Sequence, residues 1–311
     1  MRAIEIAEYG GPEVLKVIEA PDLVPEAGHV LIDVAVSGIQ SLDTYLRRGQ
    51  WQDFFPTTPP YIPGMEAAGV VTAVGEGVDP GWVGRKVVAS VQNGYATQAV
   101  ADVGAVIPVP EGLGLPEAMA LLHDGSTAAG LLEVTPVKAG ETALVQPAAG
   151  GLGTVLVQLL ATAGARVIGV ARGAEKLALV KDLGADVAVD YTEPDWTTQV
   201  GVVDVAFDGV SGSLGQAAFS TVRDGGRYSN YGNASASDEG VSPERGITVR
   251  GIDQLSDLRG GYRPRAEHVF ELAAAGTIRA VIGRTYPLDQ VAEAHRAVEA
   301  REVLGKALLI P

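Results

Sequence analysis

The clearest chemistry in the chain lies in Gln146-Pro147-Ala148-Ala149-Gly150-Gly151-Leu152-Gly153. The spacing Ala148-x-Gly150-x-x-Gly153 is a dinucleotide fingerprint with alanine in place of its first glycine. Gly150 would let a pyrophosphate approach the backbone, Gly151 and Leu152 would open the following helix, and Gly153 would let that helix pack close to its strand. A tight structural turn could share this spacing, and a chain with 40 glycines matches such patterns by chance. The flanks favour the nucleotide site: an apolar run at 142–145 precedes the turn, a helix-patterned run at 154–160 follows it, and a second strand-like run occupies 165–170. Together they make a strand-helix-strand unit of the expected length, about 30 residues.

The second strand leads into Val170-Ala171-Arg172, with no carboxylate where NAD-preferring folds place one to bind the ribose hydroxyls. A 2′-phosphate would meet the Arg172 guanidinium instead, which favours NADPH over NADH. Two further loops follow strand-like runs: Asp208-Gly209-Val210 after 203–207, and Tyr231-Gly232-Asn233 after 226–229. In an open parallel sheet, ligands bind at such strand ends, although a purely structural turn fits each residue taken alone.

At 311 residues the chain is long enough for two domains. A formal charge of −15 argues against nucleic acid and anionic membranes, which need clustered Lys and Arg. With no cysteine and four histidines, cysteine-liganded zinc and a thiolate nucleophile are excluded. No apolar leader or spanning segment is evident, so a cytoplasmic protein without a membrane partner is expected.

Residues 1–109 read as short strands (4–7, 30–36, 68–74, 86–89 and 95–100) separated by glycine turns, the pattern of a barrel. A helix start at Pro116 marks the boundary of an alternating strand-helix region, with strands expected at 187–189, 203–207, 226–229 and 247–252. That alternation means a doubly wound parallel sheet. Helical periodicity at 263–275 and 288–300 and a terminal strand at 306–310 return to the first domain. The expected domains are therefore 1–115, 116–255 and 256–311.

Several motifs occur in order along the chain: Glu8-Tyr9-Gly10-Gly11-Pro12-Glu13-Val14-Leu15, Asp43-Thr44-Tyr45-Leu46-Arg47-Arg48-Gly49, Pro63-Gly64-Met65-Glu66-Ala67-Ala68-Gly69, Val137-Lys138-Ala139-Gly140-Glu141 and Leu183-Gly184-Ala185-Asp186. With the glycine turn they resemble the zinc-independent quinone oxidoreductases of the medium-chain dehydrogenase/reductase superfamily, across essentially the whole chain. The resemblance implies an α/β protein with a Rossmann doubly wound parallel sheet domain and a GroES-like β-barrel substrate domain. Zinc-containing relatives carry Gly-His-Glu where this chain has Gly64-Met65-Glu66, so it implies chemistry without a metal.

In such enzymes a lysine and a tyrosine hold the 2′-phosphate, and the matching positions are Lys176 and Tyr191. The Ser126 and Thr127 hydroxyls would lie near the nicotinamide. Tyr45 is the best side-chain donor to a developing oxyanion and Gln40 the second, although relatives often have asparagine at the position of Gln40. A tyrosine packed in the barrel with its hydroxyl on a backbone carbonyl is an equal alternative for Tyr45. Asp43 reads as a structural acid, and His29, His268 and His295 as surface residues. The expected function is NADPH-dependent hydride transfer to a small-molecule quinone or enone, by a homodimer or tetramer. An enoyl-thioester reductase and an NADPH-binding redox-sensing module with little turnover are the alternatives.

Overall fold

The computed structural model describes residues 1–235, 237 and 239–311, without the side chain of Arg259. The chain divides into two compact units: Met1–His123 with Ala273–Ala275 and Ala280–Pro311, and Asp124–Leu272 with Gly276–Arg279.

The first unit opens with β1 (Arg2–Ile6) and β2 (Leu15–Glu19), an antiparallel pair. Then come β3 (His29–Ile39), the short helix α1 (Ser41–Arg47), β4 (Glu66–Val74), β5 (Lys86–Ser90), β6 (Gln98–Asp102) and β7 (Val106–Pro108). β3 alternates inward Val30, Ile32, Val34 and Val36 with more exposed neighbours, the period of a strand with one face on a core. Val30, Ile32 and Val34 pack with Ala67, Val71, Val87, Ala89 and Ala99 from neighbouring strands.

The helix α2 (Leu115–Val134) follows, and the division between the units falls within it. The second unit continues with β8 (Thr142–Gln146), α3 (Gly151–Thr162), β9 (Arg166–Ala171), α4 (Ala174–Asp182), β10 (Val187–Asp190), α5 (Trp196–Val200), β11 (Val203–Asp208), α6 (Gly212–Thr221), β12 (Val222–Asn230) and β13 (Thr248–Arg250). The six strands are all parallel in the order β10-β9-β8-β11-β12-β13. That order reverses direction beside β8, the switch point where doubly wound sheets bind ligands. α3 buries Val155, Leu156, Val157, Leu159 and Leu160, too many for one stripe, so it is a core helix.

Past α7 (Gln254–Asp257), α8 (Tyr262–Ala274) departs from the sequence expectation. The sequence pattern places it in a return running over 256–311, whereas its residues through Leu272 cluster with the second unit. Its buried Val269 lies against Gly125, and Arg265 pairs with Glu133 on α2. The chain rejoins the first unit through β14 (Ile282–Pro287), α9 (Val291–Glu299) and β15 (Lys306–Ile310), which pairs with β3. β2, β7 and β14 were not foreseen.

Candidate active site and dinucleotide site

The glycine turn closes tightly at its far end. A Cβ placed on Gly153 would collide with the Pro147 carbonyl oxygen, so only glycine lets α3 start this close to β8. On Gly150 the same atom would meet nothing nearer than the Pro147 carbonyl oxygen at 3.7 Å, leaving that side of the turn open. Ala148 is fully buried and its N–H donates to the Val170 carbonyl, tying the turn to β9. The residues therefore fit a pyrophosphate at the start of α3.

At the end of β9 stands exposed Arg172, followed by Gly173, which caps α4 at a φ of 89°. Lys176 sits in the first turn of α4, and the Tyr191 N–H donates to the Ala171 carbonyl at 3.2 Å, so Arg172, Lys176 and Tyr191 share one corner of the sheet. Tyr191 is half-buried, its ring packed against the second unit's core. Asp190 shapes this corner by accepting the Gly173 N–H at 2.8 Å. Burial works to raise the Asp190 pKa, but bonds from the Thr192 hydroxyl, the Gly173 N–H and the Thr192 N–H, with the Arg172 charge, hold it below the usual carboxylate range.

Asp208, expected among the cofactor contacts, has a different role. It is fully buried, and its carboxylate accepts from Gln146 Nε2 (2.8 Å), the Val210 N–H (2.8 Å), the Ser211 N–H (3.1 Å) and the Tyr228 hydroxyl (2.5 Å). These donors saturate it, so Asp208 contributes the shape of the Gly209–Val210 turn and no free oxygen. Asn233 is similarly occupied: its carboxamide bonds to Ser235 and Ser237 in its own loop. Gly232 accepts the Ser211 hydroxyl through its carbonyl at 2.9 Å. The Tyr231 ring covers Gly209, and its hydroxyl donates to the Gln146 carbonyl at 3.0 Å. Burial, then the Asp208 and Asp124 charges, pushes that phenol well above its ordinary pKa, so it stays neutral. The Ser126 hydroxyl donates to the Tyr262 carbonyl at 3.0 Å, while Thr127 is half-buried beside it.

In the first unit, Gln40 is the N-cap of α1 and Tyr45 lies on that helix, half-buried under the Arg48 guanidinium at 5.5 Å. The Tyr45 hydroxyl has no hydrogen-bond partner among the described residues, so the alternative that ties it to a backbone carbonyl does not hold. Asp43 is buried and accepts the Gln40 N–H at 2.8 Å, the return half of a capping box.

Asp43 also belongs to a network that the sequence reading missed. The Tyr95 hydroxyl donates to Asp43 at 2.9 Å and lies 3.3 Å from His295 Nε2, while His295 Nδ1 lies 3.1 Å from Arg47. Since a guanidinium only donates, Nδ1 accepts, Nε2 carries the hydrogen, and the bonds run Arg47 to His295 to Tyr95 to Asp43. His295, expected at the surface, is instead fully buried. Burial, then the Arg47 and Arg48 charges, depresses its pKa to about 3. Burial raises Asp43 to about 6, against its bonds from Gln40 and Tyr95. Gly64, at a φ of 96°, admits the Tyr95 ring where a side chain would collide.

Glu66 of the same motif is buried with its carboxylate 3.1 Å from the Lys306 ammonium. Met65 offers no imidazole, and among the described residues no group of three His, Asp or Glu side chains could hold a metal ion. This donor set does not fit zinc.

Two family models match the chain: one described as alcohol dehydrogenase GroES-like domain over residues 26–134, the other as zinc-binding dehydrogenase over residues 183–309. A probable quinone oxidoreductase from Schizosaccharomyces pombe is 32% identical over 99% of this chain and 96% of its own. A 2-haloacrylate reductase from a Burkholderia species is 29% identical over 99% of this chain and 98% of its own. The structure of mycobacterial Rv1454c complexed with NADPH is 34% identical, covers both chains completely and superposes with a TM-score of 0.91.

Proposed function

Because the chain belongs to the quinone oxidoreductase family of the medium-chain dehydrogenase/reductase superfamily, we propose that it is an NADPH-dependent reductase acting on a quinone or an α,β-unsaturated carbonyl. The observation that carries the cofactor is the corner beyond β9, where Arg172 and Lys176 stand and no carboxylate occupies the Arg172 position. A 2′-phosphate there gains charge-assisted hydrogen bonds, with the Tyr191 hydroxyl as a third partner. Ala148, Gly150, Gly151, Leu152 and Gly153 receive the pyrophosphate. Thr127, Gly209, Val210, Tyr231 and Gly232 border the nicotinamide half.

When bound, NADPH supplies a hydride from C4 of its nicotinamide. Tyr45 donates a hydrogen bond to the acceptor oxygen as negative charge develops there, and Gln40 is a second donor. Quinones and enones are already electrophilic and delocalise that charge, which suits a donor set that does not fit zinc. The relative named for haloacrylate, itself a conjugated acid, supports the α,β-unsaturated class. Asp43 acts indirectly, by capping the helix that carries Tyr45. The same reading makes the enzyme a cytoplasmic homodimer or tetramer, with β13 at the sheet edge pairing across a two-fold axis.

The test follows NADPH and NADH absorbance with one quinone, one alkenal, one simple ketone and one enoyl thioester, with and without chelator. NADPH-preferring, chelator-indifferent turnover of the quinone or the alkenal is expected. Turnover of the thioester alone would transfer the enzyme to thioester reduction. NADPH binding without any turnover would leave a redox-sensing module, and chelator-sensitive ketone reduction would overturn the metal-free mechanism.

A further inference from the structure

Arg48 closes the C-terminal end of α1, three residues past Tyr45 and therefore on the same face of the helix. Its guanidinium lies over the Tyr45 ring, 5.5 Å from the centroid. A surface arginine ordinarily samples many rotamers, but this one is held in place. Nε donates to the Thr44 carbonyl at 3.1 Å, Nη2 donates to Thr44 Oγ1 at 3.4 Å, and Nη2 also lies 3.1 Å from Glu299 Oε1. All of these bonds use Nε and Nη2. Nη1, like the Tyr45 hydroxyl, has no hydrogen-bond partner among the described residues, and the side chain is 40% exposed. Two donors with open valences thus stand together on one face of α1.

The charge at this point is positive. The Glu299 oxygen that meets Arg48 also takes the buried Arg47 guanidinium, so one carboxylate serves two arginines. Both arginine charges reach His295, where they help keep the imidazole neutral. In a chain with a formal charge of −15, an anionic acceptor is repelled overall and needs such a local cation, whereas a neutral quinone or simple enone gains little from it. We infer that Arg48 determines acceptor specificity by binding a carboxylate carried close to the conjugated carbonyl, so that the favoured acceptor is a short unsaturated keto acid. This rests on the reading that Tyr45 holds the acceptor oxygen. The hydride then adds to the alkene carbon β to the ketone, the double-bond electrons move onto the ketone oxygen at Tyr45, and a proton from water completes the saturated keto acid. The carboxylate stays on Arg48 throughout.

The test measures kcat/KM for trans-β-acetylacrylate and for its methyl ester, the same enone without the charge, in wild type, Arg48→Gln and Arg48→Lys. Wild type should reduce the acid, and Arg48→Gln should lower the acid-to-ester ratio by about ten-fold or more, the loss of a charge-assisted contact. Arg48→Lys keeps the charge and should recover part of the ratio. Raised salt should lower the ratio in wild type and leave it nearly constant in Arg48→Gln. An acid-to-ester ratio that Arg48→Gln does not lower would overturn the inference, as would wild-type turnover of the quinone or alkenal with none of the acid. A higher KM for NADPH with either acceptor, in place of a changed ratio, would assign Arg48 to the cofactor and overturn it as well. Wild type that reduces no acceptor at all would instead refute the proposed reductase.

Discussion

Asp43→Asn should uncover an acid sensitivity that the wild-type chain largely conceals. Two buried groups of one network titrate in opposite senses. His295 has a native pKa of about 3 against an ordinary 6.5, so the native state refuses a proton that the unfolded chain accepts. Its stabilisation is complete above pH 6.5 and is lost as the pH falls toward 3. Between pH 6.5 and 4 the loss approaches 2.5 units at 1.36 kcal/mol each, about 3 kcal/mol. Asp43 has a native pKa of about 6 against 3.8, so its contribution is complete below pH 3.8 and is lost as the pH rises through 6. Acidification from pH 6 to 4 therefore restores roughly 2 units, again about 3 kcal/mol.

In the wild type these slopes oppose each other over the same two pH units. Asparagine keeps an oxygen for the Tyr95 hydroxyl and the Gln40 N–H but does not titrate, so only the His295 slope remains. Relative to wild type, the variant should lose about 3 kcal/mol between pH 7 and pH 4, a Tm difference that widens by roughly 6–12 °C. Thermal melts of both proteins at pH 7, 5.5 and 4 measure it, since exposed carboxylates contribute equally and cancel in the difference. A Tm difference that does not change with pH would refute the assignment of opposed titrations to Asp43 and His295.

The double substitution Arg172→Ala with Lys176→Ala should raise the KM for NADPH by about ten-fold or more, the loss of one or two charge-assisted bonds, and leave the KM for NADH nearly unchanged. Equal effects on both cofactors in steady-state kinetics would remove these residues from the 2′-phosphate site. Tyr45→Phe should lower kcat/KM for quinone and alkenal by about 10- to 1000-fold while the KM for NADPH holds, since only a donor to the developing oxyanion is lost; unchanged kcat/KM across acceptors would rule that donor out. Lys306→Met strands the buried Glu66 carboxylate and should destabilise the first unit by about 3–5 kcal/mol in urea melts, with Glu66→Gln restoring part of the loss.

What the sequence reveals and what it hides divide along chain separation. The turn from Gln146 to Gly153 is legible because strand, glycines and helix are consecutive, and each glycine answers a local need that spacing alone expresses. Arg172 is legible for the same reason, since it is the first residue beyond β9. Asp208 is found at the right strand end, but its side chain turns inward because Gln146 and Tyr228 provide partners that no pattern within its loop announces, whereas Asn233 is taken up by Ser235 and Ser237 of its own loop. The α8 helix has a clear period yet no mark of which core it joins. That is settled by Gly125 and Glu133, more than a hundred residues earlier.

His295 is the extreme case, lying 248 positions beyond Arg47 in the chain. A lone histidine on an amphipathic helix is ordinarily a surface residue, and nothing near it in the chain says otherwise. Its burial becomes intelligible only from the other end of the network. Asp43 needs a donor as well as the Gln40 N–H, Tyr95 supplies it through the space left by Gly64, and the Tyr95 oxygen then needs a donor of its own. A neutral imidazole, held in one tautomer by Arg47, is the group that can accept on one side and donate on the other. The Pro63-Gly64-Met65-Glu66 motif is thus explained without a metal: its glycine admits Tyr95, and its glutamate is balanced by Lys306 from the last strand. Through His295 and Tyr95 the C-terminal return of the chain supports α1, the helix on which Tyr45 stands.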